Sequence, residues 1–192
     1  MRKLAVSDIK DLREYERERD AFRSEIIAMK KRRRLSLGDL LSIVFENAFT
    51  MRFQIQEMAR AEKMLRDEQI AHEVETYNQL LPEPGELSGT LFIEIDDSDA
   101  LRSWLPRLVH IEDHVHFIVG DRTVSAREED AERLTREDVT SAVHYLKFAF
   151  TPEERRAFAD GPVRLVVDHP EYQADVTLTT EQRSELVGDF AA

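Results

Sequence analysis

The sequence predicts an α+β fold: N-terminal helices with a small hairpin, packed against an antiparallel or mixed sheet with short helices. Three observations carry the prediction. Apolar residues of the N-terminal part recur every three to four positions, those after Gly89 gather in short alternating or continuous runs, and hairpin turns and short helices separate these runs. With 192 residues, 42% hydrophobic and 34% charged, the chain is long enough for one large or two small globular domains. The segment from Leu80 to Glu86, with Pro82, Pro84 and Gly85, interrupts every periodic pattern. It divides a mainly helical part, 1–81, from an acidic α+β part, 86–192, and we expect the two to form one integrated globular unit.

Ser7 is expected to cap a short turn over Asp8 to Leu12. Tyr15, Phe22, Ile26 and Met29 then share one face of a helix, which should stop in the cationic run Lys30 to Arg34, where positive charge suits the negative end of the helix dipole. Leu35 to Leu37 and Ile43 to Phe45, separated by Gly38-Asp39, read as a hairpin. From Thr50 to Arg66 helix formers outweigh a short period-two pattern, and a further helical stretch carries Ile70, Val74 and Tyr77. Gly89 to Ile95 is a strand, and Asp97 or Ser98 caps a helix that Pro106 kinks or ends. Val115 to Val119 and Thr123 to Ala126 flank a turn at Gly120-Asp121, and Ala142 to Phe150 is a long strand. Thr151, Pro152 and Glu154 form a capping box for a helix ending at Gly161. A strand over Val163 to Val167 follows, and Thr179 or Thr180 opens a terminal helix with Leu186 and Val187.

Charge separates the two parts more sharply than hydropathy does. The formal net charge is −12, yet residues 1–70 hold 16 Lys/Arg against 13 Asp/Glu, and residues 71–192 hold 11 against 26. Such an acidic C-terminal part repels phosphate backbones and anionic lipid, so nucleic acid and membrane surfaces are not the expected partners. No apolar run approaches a membrane span, and Met1 to Leu12 lacks the apolar core of a signal peptide; the expected location is the cytoplasm. The absence of cysteine excludes disulfides, a thiol nucleophile, thiolate zinc and an iron–sulfur cluster held by this chain's own thiolates. The six glycines nowhere form a nucleotide-binding fingerprint, and no Glu-x-x-His pair suits a di-iron helix bundle.

Histidines and one helix face hold the remaining chemistry. His114 and His116 share a strand face at the spacing of metal ligands, although an exposed hairpin accounts for them more simply. His144 falls on an apolar strand face, as a satisfied core imidazole or as a base or ligand. His169 ends a strand between Asp168, which could orient its ring, and Pro170, with Tyr172 nearby. Along the Thr50–Arg66 helix, Arg52, Gln54, Gln56, Glu57 and Arg60 offer polar contacts to a solvated surface, to the acidic part, or to a ligand in a cleft.

Several runs then act together: Phe45-Glu46-Asn47, Arg52-Phe53-Gln54-Ile55-Gln56-Glu57-Met58 with Glu62, Tyr77-Asn78 before Leu81-Pro82, Thr140 to Leu146, and Val167-Asp168-His169-Pro170 with Tyr172. In order and spacing they resemble a bacterial family known only as domain of unknown function 3501, from about Ile9 to Leu186. Pro106, His114 and His116 depart from that pattern. The resemblance implies an accessory role beside rubrerythrin-like proteins and cluster-bearing oxidoreductases, in redox or peroxide handling, without an assigned activity. The expected function is therefore a non-catalytic accessory or interaction protein with a protein partner. The alternative is a metal- or small-ligand-binding enzyme using Glu57, His144 and His169, and a third reading places the apolar stripes in a homodimer interface.

Overall fold

Ser7 does not cap a turn over Asp8 to Leu12, and Asp11 starts the first long helix. Its carboxylate accepts from the backbone N–H groups of Arg13 and Glu14 and caps α1 (Leu12–Arg33), whereas Ser7 falls inside a 3₁₀ turn (Val6–Asp8) closed by Asp8 on the Ala5 N–H. The computed structural model describes residues 2–128 and 138–191. β1 (Arg34–Leu37) and β2 (Leu41–Glu46) form the expected hairpin, with Gly38 at φ 66° in its turn. Gly38 has a second reason to lack a side chain, because a Cβ there would run into the Tyr172 hydroxyl.

The next helix starts earlier and ends sooner than its composition suggests. Asn47 accepts from the N–H groups of Phe49 and Thr50 and caps α2 (Ala48–Ala61). Lys63, at φ 53°, then turns the chain before α3 (Asp67–Asn78). Local helix formers continue to Arg66, but a left-handed residue cannot continue a right-handed helix. β3 (Glu86–Ile93) follows, and Asp97 caps the short α4 (Ser98–Trp104), which stops before Pro106. His110, at φ 67°, leads into a 3₁₀ turn (Ile111–His114) and so into β4 (Val115–Val119) and β5 (Arg122–Ser125). β6 (Arg127–Glu128), β7 (Val143–Ala149), α5 (Pro152–Asp160), β8 (Val163–His169), β9 (Tyr172–Thr177) and α6 (Thr180–Val187) complete the order. Thr151 and Thr179 each cap in the manner expected. β9 was outside the expected elements because it is an edge strand with no fully buried residue, and its pattern alternates only between half-buried and exposed.

The architecture is α+β with two antiparallel sheets, in the orders β1-β2-β3-β7-β6 and β5-β4-β8-β9. β2 and β3 pair across the Pro82–Gly85 segment, with Phe45 opposite Gly89, where a Cβ would meet the Ile43 side chain. The inner faces of both sheets meet in one apolar core in which Phe45, Phe117, Phe148, Phe150, Phe158 and Phe190 pack ring against ring. A smaller cluster of Leu4, Met51, Ile55, Val74 and Leu81 joins the helices. No helix among the described residues is long and apolar enough to cross a membrane.

The cationic end of α1 is used internally. Arg33 is 1% exposed, donates from Nε to the Phe45 carbonyl at 2.8 Å, and pairs with both Asp189 and Glu185. Arg32 also reaches Glu185, Arg34 reaches Glu94, and Lys30 lies 3.8 Å from Glu46. The basic N-terminal part is thereby fastened to the acidic C-terminal part. Substituting Arg33 by Met leaves the buried Asp189 carboxylate and two carbonyls without this donor and Glu185 with Arg32 alone, so urea denaturation should show a loss of about 3–5 kcal/mol. A loss below about 1 kcal/mol, the scale of an exposed pair, would contradict this role.

Candidate functional site

The helix-face residues all face intramolecular partners. Gln56 is buried and brackets Lys10, accepting from its N–H at 2.8 Å and donating to its carbonyl at 2.9 Å. Glu57 accepts from the Tyr15 hydroxyl at 2.6 Å and from Arg19 Nε and Nη2, both at 2.8 Å. This fork from Arg19 holds the Glu57 carboxyl below its ordinary value of 4.5, while burial, then the bond to Glu57, pushes the Tyr15 phenol up. Arg60 pairs with Glu16, and Gln54 lies beside the Tyr77 hydroxyl. Arg52 lays its guanidinium over Phe22 and Phe49, 4.7 and 5.3 Å from the ring centroids, beside an open cleft of about 460 Å³.

A second group gathers around the β8–β9 turn. Asp168 reaches His114 Nδ1 at 3.0 Å and His116 Nε2 at 3.1 Å, so it orients these two rings and not the ring of His169. Its own carboxyl is held low, first by the hydrogen bond to His114. His169 Nε2 lies 3.0 Å from the Val109 carbonyl, which can only accept, and Nδ1 accepts the Glu171 N–H at 3.2 Å. Both ring nitrogens of His169 are thus occupied by backbone. Tyr172 donates to the Leu37 carbonyl at 2.6 Å and accepts from the Leu40 N–H, closing the β1–β2 turn. β4, which carries His116, is an interior strand, so that hairpin is not wholly at the edge.

His144 belongs to a third group. It is fully buried on β7, opposite Leu91 of β3. Nδ1 lies 3.0 Å from Glu128 Oε2 and 3.8 Å from Glu112 Oε2, and Nε2 lies 2.9 Å from Thr140 Oγ1 and 3.0 Å from the Ser141 carbonyl. Glu112 comes from the 3₁₀ turn before β4 and Glu128 from β6, where it also accepts the Tyr145 N–H at 2.8 Å. Hydroxyl, imidazole and carboxylate follow one another as in a hydrolase triad, but the carbonyl at Nε2 requires the proton on that nitrogen. Nε2 therefore has no lone pair with which to take a proton from Thr140. Among the described residues this is the one cluster of three His or carboxylate ligand atoms close enough to hold a metal together. Of its members only His144 stood out in the sequence. Glu112 sits in a 3₁₀ turn and Glu128 on a two-residue strand, neither with a periodicity to mark it.

Fold and site together define an α+β protein of two antiparallel sheets with an imidazole–carboxylate centre buried where they meet. The chain belongs to the family described as protein of unknown function DUF3501, whose match spans residues 3–190. A protein of unknown function from Burkholderia pseudomallei K96243, known from its crystal structure, is 34% identical; the alignment covers 98% of this chain and 99% of that one, with a TM-score of 0.90. No curated protein matches.

The Glu57 arrangement has a pH signature. A depressed carboxyl contributes stability that is fully present above its unfolded value and is lost as pH falls through the lower folded value. Glu57→Gln should therefore be less stable than the parent at neutral pH, with the two urea midpoints converging in acid. A gap between the midpoints that stays constant to low pH would rule out the charged fork as its source.

Proposed function

We propose that the protein is a non-catalytic accessory protein of the bacterial cytoplasm that engages a protein partner through the acidic surface of its C-terminal part. The observation that carries this reading is that Glu57, His169 and Asp168, which a cleft built on them would need free, are already engaged within the fold. Glu57 is held by Tyr15 and Arg19, both nitrogens of His169 by backbone, and Asp168 by two imidazoles. Arg33, Arg32 and Arg34 bind acids at the seam, and the rest of the 26 Asp/Glu of residues 71–192 outweigh the 11 Lys/Arg there. A surface of that sign recruits a basic patch and accelerates encounter more than it tightens the complex. The redox or peroxide-handling context comes from the family resemblance and names the kind of partner to look for: a rubrerythrin-like or iron–sulfur protein.

Immobilised protein should retain a specific partner from a lysate of its source bacterium at about 0.05 M salt and release it at about 0.5 M, where charge screening is several-fold shorter in range. Retention of a redox protein supports the context as well as the surface. Salt-insensitive capture, or none, counts against an electrostatic docking face, and a purely self-associating chain in a solution mass measurement would point to a homodimer instead.

A further inference from the structure

The centre around His144 holds more buried negative charge than one imidazole balances. The side chains of Glu112 and Glu128 are 2% and 1% exposed, and His144 is completely enclosed. The Ser141 carbonyl at 3.0 Å places a proton on Nε2, which leaves Nδ1 directed at the two carboxylates. If Nδ1 is also protonated, the imidazolium balances Glu128 but leaves Glu112 as a second buried carboxylate, whose Oε2 has no hydrogen-bond donor among the described residues. His110 approaches only the other Glu112 oxygen, at 4.0 Å, and is itself mostly exposed. Burying an ion without a partner is strongly unfavourable. If instead Nδ1 is bare, three lone-pair donors converge on one point and repel one another unless a metal ion lies among them or one carboxyl carries a proton.

We infer that Glu112, Glu128 and His144 form a buried site for one divalent first-row metal ion of the manganese, iron or zinc kind. Their ligand atoms all lie within 4.8 Å of one another. Donors about 2.1 Å from a tetrahedral ion stand about 3.4 Å apart, and the observed 3.0 and 3.8 Å from Nδ1 to the two carboxylates bracket that spacing. The supporting contacts are also those of a ligand set. The Ser141 carbonyl takes the far N–H of the imidazole and fixes its tautomer, and the Tyr145 N–H fixes the Glu128 carboxylate. Nitrogen and oxygen donors without sulfur suit hard and borderline ions. Because Glu112 leads into β4 of one sheet while Glu128 and His144 lie on β6 and β7 of the other, the ion joins the two sheets. Its enclosure assigns it to holding the fold in one form, which is consistent with an accessory protein and independent of who the partner is.

Protein prepared without a histidine tag and stripped with a chelator provides the test. Calorimetric titration with Zn²⁺ and Mn²⁺ should give one equivalent per chain, the melting temperature should rise on loading, and Co²⁺ should develop visible absorption of nitrogen–oxygen coordination. Glu112→Gln keeps the side-chain shape and removes one anionic ligand. It should weaken binding at least about 100-fold, beyond the usual effect of a supporting residue. The stripped variant should melt at or above the stripped parent, because the carboxylate without a donor has gone. Glu128→Gln gives the same affinity test should Glu112→Gln not fold. A double His114→Gln and His116→Gln variant removes the outer imidazoles and should keep the stoichiometric site. The inference is overturned if the parent takes up none of the three ions and its melting temperature does not move, if Glu112→Gln or Glu128→Gln binds as tightly as the parent, or if binding disappears only in the His114/His116 variant.

Discussion

The fold depends on one buried guanidinium. Arg33 ends α1, and its planar fork meets the backbone of β2 on one side and the carboxylates of Glu185 and Asp189 on the other. A charge 1% exposed is tolerable only when every donor is matched, and here the partners come from the second strand and the last turns of the chain. The opposite net charges of the two parts therefore have a structural use before any partner is involved: Arg32, Arg33 and Arg34 of the basic run pair with Glu185, Asp189 and Glu94 of the acidic part.

Where local chemistry decides an element, the sequence was a reliable guide. The capping box at Thr151 to Glu154, the cap at Thr179, the hairpin turn at Gly38 and the stop before Pro106 all stand as their residues require. Differences arose where a distant group competed with the local one. Ser7 is an adequate cap, but Asp8 closes its own turn and Asp11 offers the stronger acceptor to α1. Helix-forming residues after Ala61 could not announce the left-handed Lys63, and β9 owes its existence to pairing with β8 more than to its own pattern.

The candidate residues divide in the same way. His144, His169 and Asp168 were conspicuous as residue types, yet their roles rest on partners that no spacing reveals. His169 is neutralised by a carbonyl sixty positions away, Asp168 turns towards His114 and His116, and His144 meets Glu128 and Glu112 across two sheets. The contrast between the two buried charge clusters is informative. Around Arg33 cations and anions are matched and each donor is used. Around His144 two carboxylates share one imidazole, and among the described residues one oxygen of Glu112 is left without a donor.

That imbalance is the central claim, and diffraction locates its resolution directly. Crystals of the protein grown with Zn²⁺ and measured on both sides of the zinc absorption edge should show a single anomalous peak within bonding distance of His144 Nδ1, Glu112 and Glu128. A map with no peak there, or with zinc only beside His114 and His116, would contradict the account and leave the centre to protons alone.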